Sequence, residues 1–402
     1  MSPIAGFAET NDAGWHVVGM GIDWTSRTAR LLRSDGKEAT FPLPSAELPR
    51  TSMIRQTEWS FEHGAMYIET IPGDVIAFEL PTPSALAPVR DRPVVYLDQN
   101  HWSHLAYAIY EPSRVPSGEL DAARTLIELA TERQIILPLS AGHMSETCRW
   151  KDRERRYRLA VTMLRLTSGW QMRDPLTVRD FELRQSLSVN CRSVCLIPPS
   201  VFTLEPGAIH GEVRRRSSDR LTDDLPEDAK FMLRAITHLS GDADTMLDAD
   251  HVEMGTSPGW VDKLQRFTEW ISTEPADPYR RRQRTHVLFI ADLGKELATA
   301  AHAAGVAPEQ MSDWTLRRSD DALSEMPALG LFREALHDKV LEPRTQWEDN
   351  DLTDLMYLTC AVGYADHVAA ERGLVSKMEQ GLRRLGRTAS VHRRLRDLVA
   401  AL

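Results

Sequence analysis

Residues 93–104 read Pro93-Val-Val-Tyr-Leu-Asp98-Gln-Asn-His-Trp-Ser-His104. Val94 to Leu97 are β-branched, aromatic or aliphatic, a run suited to the interior of a parallel sheet. Pro93 opens the run, at the strand position where a missing N–H is harmless. The stretch predicts a short buried strand ending on Asp98. Open α/β sheets place their ligands outside the carboxyl ends of their strands, so that acid is the first candidate for chemistry.

Residues 102–133 read as mostly helical, and Leu120–Glu132 carries apolar residues at 123, 126, 127, 129 and 130, close to a 3.6-residue period. Gln134-Ile-Ile-Leu-Pro-Leu-Ser140 follows as a second short apolar run. The order strand, helix, strand implies a right-handed crossover and a parallel pair. Ser140 is placed to cap the next helix, which carries Glu146 in its second turn. Asp98 and Glu146 are therefore expected at the same sheet edge.

The C-terminal part continues the pattern. Residues 350–362 predict a helix with Asn350 or Asp351 as N-cap, Asp354 one turn in and Gly363 as its end. Residues 364–371 predict a third strand with Glu371 at its carboxyl end. A helix is expected at about 373–385, a strand at 387–391 and a final helix at 392–402.

The other regions carry less chemistry. Residues 1–90 predict a small β-rich accessory domain, with strand-like runs at 15–20, 29–33, 65–70 and 75–80. Turns at Ser34-Asp-Gly36 and Pro72-Gly-Asp74 separate them, and Pro81–Pro88 reads as a linker. Asp23, after Gly21-Ile, reads as an exposed loop acid. Residues 91–402 form the main domain, with a helical insertion at about 166–344. The acidic run Asp242, Asp244, Asp248, Asp250 lacks the calcium-loop pattern and reads as a solvated loop.

The chain has 402 residues and a net charge of −10, yet 41 of its 48 basic residues are arginine. They cluster at Arg149–Arg158, Arg214–Arg216, Arg280–Arg284 and Arg383–Arg396. Carboxylates gathered at a metal site, with arginines along its approach, would reconcile an acidic chain with an anionic substrate. The cysteines Cys148, Cys191, Cys195 and Cys360 form only one CxxxC pair, a weak zinc signal, and read as free thiols of a reducing cytoplasm. The N-terminus has no signal-peptide pattern, and no apolar run is long enough to cross a membrane.

Asp98, Glu146, Asp354 and Glu371 thus form a set of acids expected at one edge of a parallel sheet. Crowded carboxylates repel one another and need cations, and hard oxygen ligands favour Mg²⁺ or Mn²⁺. Metal-assisted hydrolysis of a phosphodiester fits that set. The motifs VVYLDQNHWSHLA, ILPLSAGHMSET and NDLTDLMYLTCAVGYADHVAAERGL resemble those of the PIN-like nuclease family, over residues 93–165 and 345–402. The resemblance implies an α/β fold: a PIN-like parallel sheet flanked by helices, with the large helical insertion and the small β-rich N-terminal domain added. It also assigns catalytic and metal-binding roles to Asp98, Glu146, Asp354 and Glu371. Asp351, Asp366, Asn100 and His101 are secondary candidates. The fourth acid is Glu here, where the family usually carries Asp.

The resemblance implies a nucleic-acid substrate, RNA ahead of DNA, and a cytoplasmic toxin or phage-defence effector. It leaves room for a protein partner or inhibitor and for an oligomer, and implies no membrane. The rivals are a binding or scaffold protein on a catalytically degenerate PIN-like fold, and a phosphatase-like or flap-type hydrolase.

Overall fold

The computed structural model describes residues 15–42, 53–61, 63–80, 92–211, 227–248, 258–342 and 346–402. The expected linker at Pro81–Pro88 and the basic run Arg214–Arg216 lie outside them. The strands are β1 Val17–Asp23, β2 Thr28–Arg33, β3 Glu38–Pro42, β4 Ile54–Ser60, β5 Ala65–Thr70, β6 Val75–Glu79, β7 Val95–Leu97, β8 Gln171–Met172, β9 Phe202–Thr203, β10 His367–Ala369 and β11 Ser390–His392. The helices up to residue 247 are α1 Gln99–Tyr110, α2 Leu120–Thr131, α3 Ala141–Cys148, α4 Arg153–Thr167, α5 Pro175–Arg192 and α6 Glu227–Leu247. Then follow α7 Pro258–Thr273, α8 Pro278–Asp292, α9 Gly294–Ala304, α10 Pro308–Asp313, α11 Ser319–Glu325, α12 Pro327–Leu341, α13 Asp351–Tyr364, α14 Arg372–Arg384 and α15 Leu395–Val399. No helix among the described residues is long and apolar enough to cross a membrane.

The fold is mixed α/β, and the chain divides into two compact units. The first comprises 1–92, 102–173 and 202–253; the second comprises 93–101, 174–201 and 254–402. The division differs from a boundary at residue 90 and a single insertion at 166–344. Within residues 166–344, α5 and the helices from α7 onward belong to the second unit, while β8, β9 and α6 belong to the first.

In the first unit β1–β6 form an antiparallel sheet in the order β3-β2-β1-β4-β5-β6. Ile22, Trp59, Met66, Ile68, Ile76 and Phe78 are among its buried residues. β3 and β4 were not legible: β3 is exposed throughout, so no alternation marks it, and β4 carries charges at Arg55 and Glu58. The sheet is bonded to α4 rather than standing apart. The Tyr157 hydroxyl lies 2.8 Å from Thr70 Oγ1 and donates to Asp74 at 2.7 Å, and Arg165 pairs with Asp74 at 2.9 Å. Asp23 is not an exposed loop acid but the half-buried last residue of β1, and hydrogen bonds from Ser26 and Thr25 hold its carboxyl below the usual range against desolvation.

Two expectations for this unit are corrected. The run 134–140 forms no named strand; Leu139 makes an isolated parallel bridge to Gln171, and Pro138 interrupts any longer ladder. The acidic run is not a solvated loop. Asp242 and Asp244 lie on α6, and buried Asp242 accepts from His210 Nε2 at 2.8 Å and from Gln171 Nε2 at 3.1 Å. Partners distant in sequence make burial of that carboxylate tolerable. Asp250 lies outside the described residues.

In the second unit β11-β10-β7 form a parallel sheet with β10 central. Val95, Tyr96 and Leu97 pair with His367, Val368 and Ala369, and these with Ser390, Val391 and His392. Beside it, buried Glu182 of α5 accepts the Ala328 and Leu329 amides of α12, both at 2.8 Å, and the Tyr364 hydroxyl at 2.7 Å. An acid from another helix thus satisfies the first-turn donors of α12, which Met326 at its N-cap cannot do. Burial pushes the Glu182 carboxyl up, and these hydrogen bonds oppose that shift.

Gly363 does not end α13, which runs on to Tyr364. It marks a close helix approach: a Cβ there would lie 2.9 Å from the Pro327 carbonyl carbon. Overpacking costs about 1–3 kcal/mol, more than the about 0.5–1 kcal/mol that alanine gains over glycine in a helix. Gly363→Ala should therefore lower the urea unfolding midpoint, and an unchanged or higher midpoint would contradict this packing.

His337 on α12 is buried, and neither ring nitrogen has a hydrogen-bond partner among the described residues. Burial, helped by Arg282 and Arg333, lowers its pKa to about 3, while Glu334 opposes the shift. The unfolded chain binds this proton near pH 6.5 and the folded chain does not. The stabilisation is therefore complete above pH 6.5, falls by about 1.4 kcal/mol per pH unit below it, and levels off near pH 3. His337→Leu should reduce the acid slope of stability by about one proton, measured as unfolding free energy against pH between 6.5 and 4.

Candidate functional site

Asp98 follows β7 directly, and its amide donates to the Ala369 carbonyl of β10 at 2.9 Å. Its carboxylate caps α1: Oδ1 accepts the His101 amide at 3.0 Å. The same oxygen closely meets His101 Nδ1, so that ring nitrogen carries a proton toward it. Both bonds use Oδ1, and no described residue bonds Oδ2. The His101 ring is buried, with Nε2 3.4 Å from the Arg393 carbonyl just past β11.

Glu371 lies two residues beyond β10, at the same sheet edge, and its Oε1 closely meets Asn100 Nδ2. The second residue of α1 thus joins the strand-end acid of β10 to that of β7. Exposed Arg372 follows Glu371, and exposed Arg393 and Arg394 follow β11. One edge therefore brings together two carboxylates, a carboxamide and an imidazole, with three arginines next to it in the chain.

The remaining acids divide. Asp354 sits half-buried in the first turn of α13, a helix that packs against β10. Glu146 sits half-buried on α3 in the first unit. Ser140 caps that helix as expected: its hydroxyl accepts the His143 amide and His143 Nδ1 accepts the Ser140 amide, both at 3.2 Å. Two secondary candidates are structural. Asp351 is ion-paired with Lys339 and accepts the Glu348 amide at 2.6 Å. Asp366 sits at the opposite, amino-terminal edge, where Oδ2 accepts the Val94 amide at 2.7 Å and its own amide donates to the Val94 carbonyl at 3.1 Å. Its placement before the strand rather than after it removes it from the site.

The donors at this edge match Mg²⁺ or Mn²⁺ in kind, being hard oxygens on two adjacent strands. In number, no group of three or more His, Cys, Asp or Glu among the described residues is arranged to hold a metal ion. The CxxxC pair follows the same rule, and all four cysteines are free.

The basic clusters are mostly consumed internally. Arg282 and Arg384 pair with buried Glu334, Arg284 with Glu274 and Arg155 with Asp152. Arg156 and Arg387 donate to backbone carbonyls. Arg393, which pairs with Glu379 at 3.2 Å, and Arg394 remain exposed at the carboxyl edge. The Asp98–His101 pairing was readable in principle, since three residues separate an N-cap from the amide it caps. Arg372 had no such signal.

Compared with models of known protein families, with curated proteins and with solved structures, the chain matches none.

Asparagine caps helices as well as aspartate does, whereas alanine costs about 0.5–2 kcal/mol. Asp98→Asn should therefore keep a thermal midpoint close to wild type, and Asp98→Ala should lower it. Equal loss in both variants would mean that the charge, not the cap, holds α1.

Proposed function

We propose that the chain is a divalent-metal-dependent nuclease that hydrolyses phosphodiester bonds, in RNA ahead of DNA, at the carboxyl edge of β7 and β10. One observation supports the reading: Asn100, two residues after Asp98, bonds Glu371 at that edge, and the exposed Arg372, Arg393 and Arg394 follow its strands. Arginines beside carboxylates suit a site that must hold an anionic backbone and a cation together.

Asp98 and Glu371 would hold the ion, with Asp354 and Glu146 as the further proposed ligands. When bound, such an ion polarises the phosphate and acidifies a coordinated water. The chain's own residues do the rest. His101 fixes Asp98 Oδ1 through its amide and its ring. Asn100 orients Glu371, and Arg372 and Arg394 bind backbone phosphates and set the register of the strand. The PIN-like assignment of the parallel core belongs to the same proposal.

The test is cleavage of labelled single-stranded RNA and DNA with Mn²⁺ or Mg²⁺, wild type against Asp98→Asn. Wild type should cut RNA in a metal-dependent way, and Asp98→Asn should lose at least about 100-fold, the smaller end of what a positioned acid contributes. Glu146→Gln and Asp354→Asn should lose comparable activity if they complete the ligand set. Absence of cutting by wild type, or equal cutting by both proteins, would leave Asp98 as a helix cap and sink the nuclease reading.

A further inference from the structure

Three half-buried residues on one face of the parallel sheet, His367, Ser390 and His392, meet at a single hydroxyl. His367 opens β10 opposite Ser390, which opens β11, and His392 lies two residues on, so all three side chains leave the sheet on the same side. Ser390 Oγ lies 3.0 Å from His367 Nδ1 and 2.7 Å from His392 Nε2. The two imidazole rings are stacked, with their centres 5.9 Å apart. β11 is three residues long and pairs with β10 alone among the described strands. Its end is tied to the carboxyl edge. The Ala370 amide, just before Glu371, donates to the His392 carbonyl at 3.0 Å, and the Arg393 carbonyl lies 3.4 Å from His101 Nε2. Neither His367 nor His392 has a part in the proposed hydrolysis.

We propose that His367, Ser390 and His392 form a clasp that holds β11 against β10 at neutral pH and releases it in acid, and so regulates the proposed site; only the regulatory part rests on the nuclease reading. A hydroxyl has one proton and two lone pairs, so Ser390 donates to one ring nitrogen and accepts from the N–H of the other. The arrangement needs at least one neutral ring. When both rings are imidazolium, both nitrogens are donors and the hydroxyl proton has no ring acceptor. Two positive charges then stand 5.9 Å apart. The charged groups nearby come from several elements. Asp366 precedes His367 and is held by the Val94 amide. Arg393 follows His392 and pairs with Glu379 of α14, and Asp397 of α15 pairs with Arg396. Burial, helped by His367, lowers the pKa of His392, and Asp397 opposes the shift. The folded clasp therefore disfavours a proton that the unfolded chain takes up near pH 6.5, so it is complete above that pH and weakens below it. Release of β11 frees the Ala370 amide and the Arg393 carbonyl, and with them the placement of Glu371 and His101.

The experiment is hydrogen exchange by mass spectrometry on the full chain at pH 7.5 and pH 5.0, with labelling times scaled for the intrinsic rate at each pH. Peptides covering 388–394 report on β11, and peptides covering 355–362 of α13 serve as the control. In wild type the β11 peptides should exchange about tenfold faster at pH 5.0, the scale on which two like charges at this separation shift a local opening equilibrium. The α13 peptides should keep their protection. His392→Gln and His367→Gln each leave one ring, so the pair can no longer hold two charges. Each should protect β11 equally at both pH values, and its thermal midpoint at pH 7.5 reports whether it has folded; if one variant fails to fold, the other decides. Unchanged β11 protection in wild type at pH 5.0 overturns the clasp, and so does an acid loss in the folded variants as large as in wild type. The nuclease reading fails separately. If β11 opens in acid but wild type cuts no RNA with Mn²⁺ at pH 7.5, the clasp stands and the nuclease falls. If wild type cuts RNA and β11 stays protected at pH 5.0, the clasp falls and the nuclease stands.

Discussion

The pairing of β7 with β10 is the constraint on which the second unit depends. It joins residues about 270 positions apart. Asp366 anchors it at one end, accepting the Val94 amide and donating back to the Val94 carbonyl. At the other end the Asp98 amide meets the Ala369 carbonyl. A slip of one residue would turn Val95 and Leu97 to the opposite face and move Asp98 away from Glu371. Closing a loop of that length costs little more than closing one half as long, about 0.6 kcal/mol per doubling. The large helical region between the two strands is therefore compatible with the pairing on entropic grounds.

Buried charge organises the helices around that sheet. Glu182 serves as a cap for a helix other than its own, and Glu334 is held by Arg282, Arg333 and Arg384. Removing one partner of such a group leaves an uncompensated charge in a low-dielectric setting, which costs more than the pair itself contributes. Hydrogen bonds from Arg282, together with its charge and that of Arg333, outweigh burial and hold the Glu334 carboxyl below the usual range. These networks explain where much of the arginine excess goes. What remains exposed at the carboxyl edge is the part of that excess with a bearing on an anionic ligand.

Local pattern made the β7 strand, the cap of α3 and the helices α2, α3, α13 and α14 legible, because period, capping residues and breakers act over a few positions. The β10 and β11 strands were also readable, with limits off by one to three residues. Besides β3 and β4, three further features were not. The run at 134–140 looked like a strand because its residues are apolar, yet strand formation needs a partner in register, and Leu139 forms only a single bridge. Asp242 looked solvated because it sits among other acids, yet His210 and Gln171 reach it from distant segments. Gly363 looked like a stop, yet its lack of a side chain serves a contact with Pro327.

The sequence by itself determined that a buried strand delivers Asp98 to a helix start, that Ser140 caps the helix of Glu146, and that Glu371 follows a late strand. These are consequences of side-chain shape and of hydrogen-bonding reach along the chain. Tertiary structure alone decided that Glu371 meets Asn100 and that Asp366 faces away from the site. It also decided that Asp351 belongs to Lys339, and that His367 and His392 meet at Ser390. The physical reason is register: which edge of a sheet a side chain occupies depends on pairing between segments hundreds of residues apart, and no local periodicity encodes that choice.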